Sequence, residues 1–185
     1  MNQKQNYSIL FIIAAFLIPI SLQGDHRTNE RRDYMEEEIG IFNEPPVNFN
    51  HDIQVSACVI QVGDRLLALQ RGMHKFDPGK WEVPGGKFQI GETLNDCACR
   101  ELFEETGIEN SLFQEIGVLY VRRRENDFTL RVVIAEFSEE PRVKLSKEHH
   151  DFRWVTAEEM KRLDLIKGEE LLIDMYLNSF VLENH

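Results

Sequence analysis

Three glutamates close together are the first feature of this 185-residue chain that could do chemistry. Glu101, Glu104 and Glu105 stand at positions i, i+3 and i+4, so on a helix they would lie within about 100° of arc on one side. Like charges at this spacing destabilise a helix by a few tenths of a kcal/mol. By itself the pattern is most often a solvated acidic face. Clustered carboxylate oxygens are, however, also the ligands that Mg²⁺ and Mn²⁺ prefer.

The neighbouring residues favour a metal site over a solvated face. Arg100 directly precedes the first glutamate, and its guanidinium could hold one carboxylate in a fixed orientation. Glu92 lies just before the predicted helix. Pro84-Gly85-Gly86 provides a bend in which the backbone of the two glycines could approach a metal or a phosphate closely.

The elements that must position these residues can be predicted from apolar patterning and turn residues. Thr93 predicts a helix start because Asp96, three residues on, completes a capping box, and Gly107 predicts its end. Gly63-Asp64 predicts a hairpin turn. We predict helices over 93–106, 156–163 and 169–182, and strands over 53–62, 65–70, 81–83, 113–122, 128–137 and 152–155. This order of strands and helices indicates an α/β/α sandwich with a mixed sheet.

Composition limits the classes of partner. The chain has 32 acidic and 21 basic residues and a net charge of −11, which argues against binding to nucleic acid because phosphate neutralisation needs a basic surface. An acidic enzyme can still bind phosphates if metal ions carry the positive charge. The three cysteines, Cys58, Cys97 and Cys99, show no zinc-ligand spacing and exclude a disulfide scaffold.

The N-terminal part differs from the rest. Residues 9–18 are ten consecutive apolar residues, which is short for a bilayer span of roughly 20 residues but fits a signal-peptide core of roughly 7–15. The alternative is that Met35 is the true start, which the cysteine usage favours and which implies a cytoplasmic protein. Export or membrane contact is expected only if residues 9–22 are retained. We divide the chain into a hydrophobic segment (1–24), a polar arm or linker (25–48) and a folded domain (49–185).

The spacing around the glutamates resembles the Nudix box. Gly86, Glu92, Arg100-Glu101-Leu102, Glu104-Glu105 and Gly107-Ile108 fill all nine specified positions of this 23-residue motif. Trp81-Glu82-Val83-Pro84-Gly85-Gly86 in front of it is similar to the approach seen in MutT-type Nudix hydrolases. The resemblance extends in weaker form from about residue 53 to residue 182.

The resemblance implies a role for each residue of the box. Glu101, Glu104 and Glu105 would be ligands of Mg²⁺, or of Mn²⁺ as a substitute, and Gly85 and Gly86 would lie against the substrate, with the Gly85 carbonyl offered to the metal. Arg100 would orient a glutamate through a salt bridge. Glu92 would steady the helix by a polar contact. Glu101 is the first choice for the general base, followed by Glu105 and Glu148.

Residues outside the box are implied less directly. Glu148 stands six residues before Trp154, where MutT-like chains often carry a further metal ligand, although a surface charge is the alternative. His149 and His150 are adjacent, so at most one of them can face the site. Arg71 is placed where MutT-like enzymes often contact phosphate. Phe76 and Trp81 could stack on a base or simply fill the edge of the core.

The expected activity is hydrolysis of a diphosphate linkage in a nucleoside triphosphate or a related nucleoside diphosphate derivative, by attack of water at phosphorus. ADP-ribose or a nucleotide sugar is the alternative substrate, and a non-catalytic nucleotide-binding module is the alternative class. Residues 165–170 contain no asparagine, whereas MutT-type enzymes that read oxidised guanine carry one near the start of the last helix. This difference argues against specificity for 8-oxo-guanine.

Overall fold

The computed structural model describes residues 40–122 and 126–182, and within these ranges the apolar runs build one sheet between helices. The strands are β1 (Gly40–Phe42), β2 (His51–Val62), β3 (Arg65–Arg71), β4 (Trp81–Glu82), β5 (Gly85–Lys87), β6 (Gln114–Arg122), β7 (Asp127–Phe137) and β8 (His149–Thr156). The helices are α1 (Leu94–Thr106), α2 (Ala157–Met160) and α3 (Glu169–Leu182).

The sheet is mixed, as predicted. Its main path runs β1-β6-β7-β2-β3-β4, while β5 pairs with β2 and β8 pairs with β3. The long pairing of β2 with β7 is parallel, and β2 turns back into β3 through the predicted hairpin, where Val62 lies opposite Arg65. The other strand pairs are antiparallel. The predicted strands are therefore confirmed in their main parts.

Helices cover both faces of the sheet, which confirms the α/β/α sandwich. Successive residues of β2 point to opposite faces. Cys58 and Ile60 pack with Leu102 of α1 in one core, and Val59 packs with Ile173 of α3 in the other. All of these side chains are fully buried.

Helix α1 begins and ends where its cap residues predict. Thr93 accepts the backbone N–H of Asp96, and the Asp96 carboxylate accepts the N–H of Thr93, which completes the capping box. Gly107 ends the helix with φ of 69°, a left-handed conformation that glycine adopts without strain. The helix that carries the glutamates is thus fixed by local interactions at both ends.

Several element bounds differ from the prediction. Residues 40–42 of the predicted linker form β1, which pairs with β6. The two glycines of the predicted Pro84-Gly85-Gly86 bend belong to the short strand β5 (Gly85–Lys87). Helix α2 ends at Met160 instead of residue 163, since the N–H groups of Arg162 and Leu163 bond only three residues back and tighten the chain. The predicted segments 1–24 and 25–39 lie outside the described residues.

None of the helices within the described residues is long and apolar enough to cross a membrane.

Candidate active site

The glutamates of α1 face inward, with one exception. Glu101 and Glu105 are buried with Ala98 and Leu102 on the side of the helix that packs against the sheet. Glu104 lies at the rim, where 57% of its side chain is exposed. Phe103, the residue before it, is also exposed. Since two of the three carboxylates occupy the core side of the helix, the solvated acidic face is excluded for them.

Arg100 forms ion pairs with three carboxylates, those of Glu92, Glu101 and Glu104. Its guanidinium donates to Glu92 Oε1 at 2.6 Å and to Glu101 Oε1 at 2.6 Å, and it lies 3.4 Å from Glu104 Oε2. It also donates to the carbonyl of Lys87 at 2.9 Å, which joins α1 to β5. The expected salt bridge to a glutamate and the expected polar contact of Glu92 are both present.

The two glycines of β5 let the backbone lie directly against the carboxyl groups of Glu101 and Glu105. A Cβ at Gly86 would overlap the carboxyl group of Glu101, and a Cβ at Gly85 would overlap the carbonyl of Ser56 in the neighbouring strand. The N–H of Gly85 donates to Glu105 Oε2 at 2.9 Å. The glycines are therefore required by close packing, while the predicted contact of the Gly85 carbonyl with a metal stays a prediction.

Glu148 lies near the box glutamates although it comes from the residue just before β8. It forms an ion pair with Lys75, whose side chain is only 5% exposed. The charges of Glu104 and Glu148 both contribute to raising the pKa of Glu101, which places them within electrostatic range of it. We call Glu101, Glu104, Glu105 and Glu148 the carboxylate cluster. Sequence reasoning missed Lys75, because nothing in the loop of residues 72–80 predicts that its side chain is buried.

Behind Glu105 lies a buried polar network that the sequence did not predict. Arg71 forms an ion pair with Glu82, and its Nε donates to the carbonyl of Phe76 at 2.6 Å. His149 Nε2 lies 3.0 Å from Glu82 Oε1 and 4.0 Å from Glu105 Oε1. Arg71 is thus held by internal partners, and its predicted contact with phosphate stays a prediction.

Burial dominates the electrostatics of Glu101 and Glu105. It is the main cause that raises the pKa of Glu101, and the salt bridge to Arg100 opposes it. Burial also raises the pKa of Glu105 well above its usual range, and the nearby charge of Glu82 adds to the effect. Shifts of this kind concentrate at functional sites because carboxylates are there removed from water and placed beside like charges.

A largely apolar cleft adjoins the carboxylates. Ser56, Arg71, Phe76, Glu82, Gly85, Gly86, Lys87 and Lys167 lie along it together with apolar side chains from β1, β6 and β7. Glu169, the first residue of α3, also lines the cleft, is buried and accepts the N–H of Val83 at 2.6 Å. Burial raises its pKa to about 8. Trp81 instead fills the core, with the guanidinium of Arg153 over its ring.

The donor set fits a hard divalent cation that keeps part of its water. Within residues 40–122 and 126–182, no three His, Cys, Asp or Glu side chains converge closely enough to enclose a metal ion by themselves. Mg²⁺ is ordinarily bound by one or two carboxylates, with water and substrate phosphates completing its octahedral shell. Glu101 and Glu105, both buried beside like charges, offer such an open set of oxygens.

Comparisons with known proteins agree with this geometry. A profile of the NUDIX domain matches residues 50–175, more than half of the chain. A MutT-like protein from Streptomyces ambofaciens is 38% identical over 74 residues, which are 40% of this chain and 44% of that protein, so the match spans less than half of this relative. The CTP pyrophosphohydrolase of Escherichia coli K12 is 26% identical over 128 residues, 68% of this chain and 91% of that protein.

A solved structure matches over a similar range. The crystal structure of the MutT protein from Methanosarcina mazei Go1 superposes with a TM-score of 0.60 at 25% identity, over 72% of this chain and 96% of that one. The matched profile includes the whole carboxylate cluster and leaves β1 outside. The chain therefore belongs to the Nudix family and is a hydrolase of phosphorus-containing anhydrides.

Proposed function

We propose that this chain hydrolyses a diphosphate linkage of a nucleoside triphosphate, or of a related nucleoside diphosphate derivative, with Mg²⁺ as its cation and Mn²⁺ as a substitute. The observation that carries the proposal is the burial of Glu101 and Glu105 beside the Gly85-Gly86 backbone, at one side of an apolar cleft. Phosphates would lie at the carboxylates, and the nucleoside would lie in the cleft.

The acidic charge of the site requires a cation for this reaction. When bound, Mg²⁺ supplies neutralisation of phosphate charge and lowers the pKa of a coordinated water. Glu101, Glu104, Glu105 and Glu148 are the residues that would hold it. Lys75 pairs with Glu148 in the structure and would supply a further positive charge beside the phosphates.

Side chains and backbone of the protein orient the carboxylates and accept the proton of the attacking water. Arg100 fixes the orientation of Glu101 through a 2.6 Å contact, and Glu101 accepts the proton of the attacking water. Burial raises the pKa of this carboxyl group toward the range in which a general base is effective near neutral pH. The N–H of Gly85 holds one oxygen of Glu105, which leaves lone pairs on this carboxylate for a cation.

The cleft supports a nucleoside with modest base selectivity. Its apolar walls include Ile41, Phe128 and Leu130. Because burial raises the pKa of Glu169 to about 8, this residue carries a proton at neutral pH and can donate as well as accept a hydrogen bond. Each base contact of this kind is worth about 0.5–1.5 kcal/mol, so ratios between bases should be modest.

A substrate panel tests the proposal. Nucleoside triphosphates, 8-oxo-dGTP, ADP-ribose, dinucleoside polyphosphates and NADH would be assayed with Mg²⁺ and with excess EDTA, with Glu101→Gln as the control for contaminating hydrolases. A triphosphate should be among the better substrates, and chelation should abolish turnover. Exclusive hydrolysis of ADP-ribose would contradict the substrate class, and full activity in EDTA would contradict the cation. Nucleotide binding without any hydrolysis would instead support a non-catalytic module.

A further inference from the structure

His149 occupies a position that packing alone does not explain. Its side chain has no exposed surface, and it comes from β8, directly opposite Arg71 of β3. Nε2 lies 3.0 Å from Glu82 Oε1, whereas Nδ1 is buried without a hydrogen-bond partner among the described residues. A buried polar atom left unpaired is costly, so an apolar residue would fill the same space at lower cost.

The surroundings of Nε2 identify the tautomer. Glu82 Oε1 lies 3.0 Å from Nε2 and belongs to a carboxylate that is also paired with Arg71, so it accepts a hydrogen bond, whereas Glu105 Oε1 lies farther away at 4.0 Å. Nε2 therefore carries the hydrogen. This N–H group stands between two largely buried acidic side chains, each of which has another donor: Arg71 for Glu82 and the Gly85 N–H for Glu105.

We propose that His149 is a positioning residue that holds Glu105 in the orientation required to bind the divalent cation. The inference rests on the proposed function, because it takes Glu105 as a cation ligand. Gly85 N–H fixes one oxygen of this carboxylate at 2.9 Å, and the imidazole edge of His149 lies 4.0 Å from the other oxygen, while its Nε2 contacts Glu82 at 3.0 Å. Glu82 is held at both oxygens: Nε2 of the imidazole contacts Oε1, and Arg71 donates to Oε2.

The proposal assigns the positioning role to Nε2 and not to Nδ1. It can therefore be tested with amide side chains that replace one ring nitrogen at a time. The amide nitrogen of glutamine reaches the position of Nε2, whereas that of asparagine reaches the position of Nδ1. His149→Gln should therefore preserve the function and His149→Asn should not. His149→Leu removes both nitrogens, and His150→Leu is the matched control because His150 is the exposed neighbour in the same strand.

The experiment uses the full chain and two measurements. Binding of Mn²⁺ alone is followed by the EPR signal of free Mn²⁺, and kcat and KM are measured with the best triphosphate. Loss of a residue that orients a metal ligand typically lowers metal affinity or activity by about 10–100-fold. We expect His149→Leu and His149→Asn to show losses of this order in Mn²⁺ affinity and in kcat, with little change in KM. His149→Gln and His150→Leu should remain near the native protein.

Three outcomes would overturn the inference. The first is native Mn²⁺ affinity and kcat in His149→Leu. The second is equal behaviour of the glutamine and asparagine variants, which share polarity but not the position of the nitrogen; this comparison remains decisive if the leucine variant does not fold. The third concerns Glu105→Gln: if this variant binds Mn²⁺ and turns over normally, the proposed ligand is wrong and the inference falls with it. A loss in Glu105→Gln with a native His149→Leu would reject the role of His149 alone.

Discussion

Glu169 should make the stability of the folded chain depend on pH, and Glu169→Gln should remove that dependence. The carboxyl group is buried at the first residue of α3, and burial raises its pKa from 4.5 to about 8. Between these two values the unfolded chain releases the proton while the folded chain keeps it. The free energy of unfolding therefore falls as the pH rises through this window. The full contribution of Glu169 to stability is present only below pH 4.5.

The size of the effect follows from the shift. One pH unit corresponds to about 1.36 kcal/mol for one proton, so the contribution lost between pH 5.5 and pH 8 is about 3 kcal/mol. Glutamine carries no charge at any pH and keeps an oxygen to accept the N–H of Val83, which Glu169 accepts at 2.6 Å. Other buried groups such as Glu105 also titrate, but their contributions cancel when the variant is compared with the native protein.

Urea unfolding, followed by tryptophan fluorescence at pH 5.5 and pH 8, measures the difference. The free energy of unfolding of Glu169→Gln, relative to the native protein, should rise by about 3 kcal/mol between the two pH values. Glu170→Gln is the matched control, because Glu170 is the next residue of α3 and is exposed. Parallel pH dependences of the native protein and Glu169→Gln would refute the reasoning, since they would mean that Glu169 is ionised in the folded protein.

Three further predictions concern the site and the domain boundary. Glu105→Gln should lower kcat by orders of magnitude with the fold kept, since an amide ligates Mg²⁺ poorly; kinetics and circular dichroism check this. Gly86→Ala should displace the Glu101 carboxyl group and therefore abolish activity. In a Glu101→Ala background the same substitution should lower stability little further, because the group it overlaps is gone. Urea midpoints of the two single variants and the double variant measure this difference. A chain of residues 35–185 should retain activity, whereas 49–185, which lacks β1, should show a lower Tm and a higher KM.

Local signals explain what the sequence predicted well. Thr93, Asp96 and Gly107 fix both ends of α1 through contacts within a few residues, so the position of the glutamates on a helix could be predicted. The long strands β2 and β7 are apolar runs that must be buried. Glu148 was predicted as a ligand from its spacing from Trp154, a property of the family pattern, and its ligand role stays a prediction.

Non-local contacts explain what the sequence left out. Glu82 meets His149 across 67 positions of the chain, and no periodicity relates two such residues. Strand β1 has only three residues and gives no alternation to detect; it exists because β6 offers it a free edge. On α1 the buried side carries Glu101 and Glu105 while the apolar Phe103 is exposed, an arrangement opposite to the one that hydrophobicity alone would predict.

The burial of Glu101 and Glu105 places carboxylates where they can bind a cation, and it also destabilises their ionised forms. Glu101 and Glu105 lie on the core side of a helix, where desolvation favours their protonated forms. Arg100 and Lys75 offset part of the negative charge, and a divalent cation would offset more, because ligation requires the ionised carboxylate. Protons and cations therefore compete for the same oxygens. It follows that cation affinity should rise with pH until these groups are ionised, and that cation binding should release protons and stabilise the fold.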